Sequence, residues 1–136
     1  MVMVLKDGEV VEASPPEILI GAAAADKLKQ IEAEFEQDIL SIESEYSAKE
    51  RESWGQQESE AVAWSADHLA ATPLLDGIAA QRTDIDKAEL AEKVLTNAKA
   101  WKALYGAALG RKHERERKLA LIDLEQAGAI ELIRSI

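Results

Sequence analysis

The sequence predicts a mainly α-helical protein: a small N-terminal β-hairpin followed by a long antiparallel helical hairpin with a short connecting helix. Three observations carry this prediction. Between residues 24 and 70 there is no proline, and Leu28, Ile31, Phe35, Ile39, Ile42 and Tyr46 recur in steps of three and four, the α-helical period. A second stripe of Leu90, Val94, Ala98, Trp101, Tyr105 and Ala108 runs through the C-terminal half. Near the N-terminus, Asp7 and Gly8 sit between the short runs 2–5 and 10–12, a strong local hairpin signal. The expected division is a β-hairpin segment over 1–14 and a helical domain over 15–136, with long helices near 24–70 and 87–126.

A two-stranded hairpin is marginal in water by itself. Residues 2–12 therefore either fold back on their own chain or add to a sheet in a partner. Ser14, Pro15, Pro16 and Glu17 then read as a helix start, with serine as cap, proline in the first turn and glutamate three residues on. Ile18, Leu19 and Ile20 form a short turn, and Gly21 is a break before the alanine run 22–25. In the long acidic helix that follows, the apolar face continues from Tyr46 through Trp54, Ala61 and Trp64, so two of the three tryptophans share it.

Thr72 precedes Pro73 and so avoids helical angles, which ends this helix near Ala70. Residues 73–79 suit a short helix closed by Gln81, Arg82 and Thr83. Asp86, with Glu89 three residues later, opens the last long helix, which runs to about Gln126 before Gly128. Residues 129–136 form a final apolar turn or tail.

Charge is distributed unevenly. The chain carries a net charge of −10. Residues 26–60 hold eleven acidic and four basic side chains, whereas residues 87–136 hold ten basic and seven acidic. Lys112 and Arg115 lie on the apolar stripe between Ala108 and Leu119, so this section either leaves the core or faces acid. Two antiparallel helices of opposite charge are the simplest arrangement. Exposed pairs orient such helices more than they stabilise them, at ~0–1 kcal/mol each. On the opposite face, Gly106 and Gly110 follow Ala103, and each interior glycine costs about 1 kcal/mol relative to alanine. Two readings fit: close approach of another backbone, or a tolerated weak spot.

No residue set forms a recognisable catalytic site, so the chain is expected not to be an enzyme and to use neither cofactor nor metal. There is no cysteine, which excludes disulfides and thiolate chemistry. His68 and His113, beside Asp67 and Glu114, lack the paired-histidine spacing of a helical zinc site. The carboxylates of residues 32–38 read as a hydrated helix face. No glycine-rich phosphate loop, GxSxG or nucleotide fingerprint occurs.

The acidic balance repels nucleic acid phosphates and anionic lipid. The basic run 111–118 is interrupted by Glu114 and Glu116 and reads as pairing with acid, through Glu114 and Lys118 within the helix and through the acidic helix across it. No segment approaches the roughly 20 apolar residues that span a bilayer, and no basic leader precedes an apolar run at the N-terminus. Neither nucleic acid nor membrane is an expected partner, and the expected compartment is a cytoplasm.

Residues 54–123 contain W-G-x-Q-E-x-E-A-x-A-W-x-A-D, then A-T-P-L-L-D-x-I-A-x-x-R, then E-L-A-E-K-V-L-x-N-A-x-A-W-x-A-L-Y-G-x-x-L-G-R. This pattern resembles helical domains in tail-fibre-associated and tail-fibre-assembly proteins of tailed bacteriophages, in which a tryptophan-bearing helix leads into a TPLLD-type turn. The most specific parts are Trp64, the turn from Thr72 to Asp76, and the block from Ala103 to Arg111. The short β-rich start with its Asp-Gly turn is similar to the beginnings of such proteins.

The resemblance implies a non-catalytic tail protein that binds a tail fibre or baseplate protein through helical, coiled-coil-like surfaces. Such a protein acts as an assembly chaperone or stays as a virion component, in the host cytoplasm during assembly or in the virion tail. Self-association is a further expected contact. The candidate partner-binding residues are Trp54, Trp64, Trp101, Tyr105, Gly106, Gly110, Lys112 and Arg115, with the aromatic ones serving equally well as internal core. The alternative is a free-standing acidic helical regulator or inhibitor of a basic protein, a reading that the basic C-terminal half opposes.

Overall fold

The computed structural model describes residues 18–136, together with the backbone of the helical turn that begins at Pro15. The β-hairpin expected over 1–14 lies outside the described residues. The described chain is mainly helical: α1 (Pro15–Glu43), α2 (Ala48–Ala66), α3 (Pro73–Gln81), α4 (Lys87–Ala120) and α5 (Ala129–Arg134). It forms two compact units, one from the residues up to Gln37 with Ala108–Ile136, the other from Asp38–Ala107.

In the first unit, α1 runs through Gly21 without the break expected there. A single glycine costs about 1 kcal/mol, and the alanines that follow are the strongest helix formers, so propagation wins. Ile31 packs with Leu119 and Ile133, and Ile20, Ala23, Ala24 and Ile122 close around them. Lys112 lies over the Phe35 ring, with Nζ 4.8 Å from its centroid, so the α1 and α4 segments of this unit run in opposite directions.

α1 buries Ile31 of the hydrophobic stripe, with Phe35, Ile39 and Ile42 partly buried, but Leu28 is not part of that face. Lys27 is only 7% exposed, whereas its neighbour Leu28 is 51% exposed. The reason is chemical: Lys27 Nζ donates to the carbonyl oxygens of Arg134, at 3.3 Å, and Ile136, at 3.0 Å. A helix leaves its last carbonyls unpaired, and a buried ammonium that satisfies them is itself satisfied. Arg115 also donates to the Ile136 carbonyl, at 3.3 Å.

α4 stops at Ala120 rather than near Gln126. The Asp123 carboxylate accepts the Glu125 N–H at 2.9 Å, a side-chain turn that competes with helix. Gly128 then takes φ 79°, a left-handed conformation that glycine adopts without strain, and α5 begins. This reversal brings Ala129 and Ile133 into the core. The apolar tail expected over 129–136 is thus a docked helix.

In the second unit, the helix expected over 24–70 is two helices. α1 ends at Glu43, residues 44–47 turn, and Ser47 caps α2 by accepting the Glu50 N–H at 3.2 Å. Arg51 fixes the turn by donating to the Tyr46 carbonyl at 2.8 Å and pairing with Glu43 at 3.2 Å. α2 stops at Ala66, earlier than the expected Ala70, with Asp67 extended.

Ala61, Leu75, Leu90 and Ala91 form the buried centre, with Trp64, Ile78, Ile85 and Val94 packed on it. The start of α3 is held from outside. Glu60, 4% exposed, accepts the N–H groups of Leu74, at 2.9 Å, and Leu75, at 3.1 Å, while the Thr72 hydroxyl turns to Asp76. α4 opens as expected, with Asp86 accepting the Glu89 N–H at 2.8 Å.

Candidate binding groove

Beside this centre the second unit carries an open groove of about 250 Å³ between α2, α4 and the turn at 44–47. Its walls come from Tyr46, Trp54 and Trp101, with Ile42, Val94 and Leu104 completing the apolar lining and Glu50 and Asn97 as polar groups. Tyr46 meets Trp54 edge to face with centroids 5.0 Å apart, and Trp54 lies 5.7 Å from Trp101 at an interplanar angle of 31°. Tyr105 abuts Trp101 edge-on at 5.6 Å, and its hydroxyl donates to the Glu43 carboxylate.

This aromatic row depends on the break after α1. Tyr46 and Trp54 are eight residues apart, which in a continuous helix is about 12 Å of rise. The turn folds Tyr46 back against Trp54. The surface remains accessible: Tyr46 is 40% exposed and Leu104 53%.

The sequence-derived candidates separate into distinct places. Trp54 and Trp101 meet at the groove, and Tyr105 backs Trp101 without lining it. Trp64 does not join them: it packs on the buried centre, stacks on the exposed His68 at 4.2 Å, and lies under Lys87 Nζ at 4.9 Å. Trp54 and Trp64 share α2, but ten residues at about 100° each set them roughly 80° apart around its axis, on different faces.

Lys112 and Arg115 belong to the first unit and face acid. Lys112 Nζ is 2.8 Å from Glu32, whose hydrogen bond raises the lysine pKa above its ordinary value, and Arg115 pairs with Glu34. Within α4, Glu114 pairs with Arg117 at 2.6 Å rather than with Lys118. That bond and the charge of Arg117 hold the Glu114 carboxyl below its usual range.

Gly106 and Gly110 are exposed, and a Cβ at either would meet nothing within 4 Å. Among the described residues no backbone beyond the helix itself approaches them, so nothing there offsets their cost. Gly106→Ala is expected to stabilise the protein by about 0.5–1 kcal/mol, read from urea unfolding. A loss of stability would show that the position needs glycine.

Sequence reasoning missed Tyr46, Glu50, Asn97 and Leu104 as groove residues. The usable signal was Ser47 followed by Glu50, the capping pattern that starts a new helix and turns Tyr46 inward. Among the described residues no group of three or more histidine, aspartate or glutamate side chains is placed to hold a metal ion, and no helix is long and apolar enough to cross a membrane. Comparison with protein-family models, curated proteins and solved structures finds no match.

Proposed function

We propose that this chain is a non-catalytic tail protein of a tailed bacteriophage, which binds the tail fibre or baseplate as an assembly or attachment factor and makes that contact through the Tyr46–Trp54–Trp101 groove. The observation that carries the binding site is the row of aromatic rings left accessible around an open apolar groove. Tyrosine and tryptophan in such settings dominate interface energetics. The tail assignment rests on the resemblance of residues 54–123. The N-terminal β-hairpin expected from the sequence belongs to the same proposal.

The competing reading, an acidic helix offered to a basic protein, is disfavoured by the ion pairs. Glu32, Glu34, Glu43 and Glu58 are engaged by Lys112, Arg115, Arg51 and Lys102 of the chain itself.

The test is mass spectrometry on infectious particles and on lysates. A fixed ratio to known tail proteins in particles makes the chain a virion component. Recovery with fibre protein from lysates alone makes it a chaperone, and absence from both removes the reading. Leu104→Arg, at an exposed groove position, is expected to weaken capture of the tail partner at least about tenfold without unfolding the chain. Alanine at Asp67, His68 or His113 is expected to leave capture intact.

A further inference from the structure

We propose that the groove accepts an arginine side chain of the partner segment. This rests on the groove being the binding surface. Two kinds of group meet there. Tyr46, Trp54 and Trp101 supply aromatic rings in two nearly perpendicular orientations, and ring faces attract a cation. Glu50 supplies a carboxylate that no hydrogen bond or ion pair takes up among the described residues, its bonds to the Ser47 and Ser53 side chains being made by its backbone N–H and carbonyl only. The Asn97 side chain likewise has no partner there and offers a second acceptor.

The charges nearby leave Glu50 as the acceptor. Glu43 is already held by Arg51 and by the Tyr105 hydroxyl. Arg51 is engaged by Glu43 and the Tyr46 carbonyl, and Lys102, with Nζ 5.8 Å from the Trp101 ring centroid, is paired with Glu58, so neither is a substitute for an incoming charge. A guanidinium fits this set better than an ammonium because it is planar, stacks on rings and forks onto a carboxylate. Its neighbours in the partner segment would be aliphatic, against Ile42 and Leu104. An anionic or neutral segment would leave the Glu50 charge facing its own kind or unpaired.

The probe is acetyl-leucyl-arginine amide against its citrulline counterpart, which keeps the shape and loses the charge. Titration of the full chain is followed through the indole N–H resonances. Trp54 and Trp101 are expected to shift and Trp64 to stay, with the arginine peptide binding about three- to tenfold more tightly than citrulline. Glu50→Gln, which keeps the Ser47 cap, is expected to erase that preference. Equal binding of the two peptides, no shift of Trp54 and Trp101, or a preference that survives Glu50→Gln would each overturn the proposal. Loss of tail-partner capture in Leu104→Arg without any arginine preference would sink the arginine site and leave the groove reading standing. Arginine preference with normal capture in Leu104→Arg would uphold the arginine site and remove the tail contact.

Discussion

Glu60→Ala is expected to destabilise the protein by about 3 kcal/mol, because it strips the start of α3 of its acceptor. Glu60 is almost fully buried and receives the N–H groups of both Leu74 and Leu75 on one oxygen, while Gln56 donates to the other at 2.8 Å. The first N–H groups of a helix have no partner within it, and Thr72 does not cap α3 with its side chain. Alanine therefore leaves two donors without a partner at the edge of the core that Leu75 fills. Glu60→Gln retains one carbonyl acceptor and is expected to recover part of the loss. Urea unfolding followed by tryptophan fluorescence gives the comparison. A loss below about 0.5 kcal/mol, the scatter of ordinary surface changes, would show that water replaces the carboxylate without penalty.

Ile133→Ala is expected to cost about 2–4 kcal/mol, as deletion of a fully buried branched side chain usually does. The side chain sits against Ile31 and Leu119, and α5 has six residues, too few to hold a helix by its own hydrogen bonds. Packing of Ile133 and the bonds from Lys27 and Arg115 to the chain end are what keep it in place. Amide hydrogen exchange over 129–136 should accelerate in the variant. Unchanged exchange and stability would mean that α5 is held by the polar contacts alone.

The parts of the fold set by local chemistry were legible in the sequence. Pro73 after Thr72 marks the start of α3, and Asp86 with Glu89 marks the start of α4, because each is a property of three or four adjacent residues. The break at 44–47 was written just as locally, in Ser47 and Glu50, but the apolar period running through Tyr46 spoke for one helix. The stripe and the cap competed, and the cap won.

Features set by distant residues were not legible. A lysine within an apolar stripe reads as solvated, and the burial of Lys27 follows only once the carbonyls of Arg134 and Ile136 are known to end beside it. The early stop of α4 has the same origin, since the reversal at Gly128 lets α5 cover Ile31 and Leu119. At the candidate site, Trp54 and Trp101, with Tyr105 behind Trp101, could be named from residue type alone. Tyr46, Glu50, Asn97 and Leu104 could not, because their meeting depends on the turn before α2. Trp64, chosen on the same grounds as Trp54, lies instead on the buried centre.

Site-specific photocrosslinking in infected cells addresses the proposed contact most directly. A photoreactive residue at Leu104, on the groove, is compared with one at Leu69, which is 92% exposed and does not line the groove. Mass spectrometry of the products is expected to identify a tail fibre or baseplate protein crosslinked from position 104 and not from position 69. Crosslinks to no tail protein, or equal yields from both positions, would contradict a tail contact made through this groove.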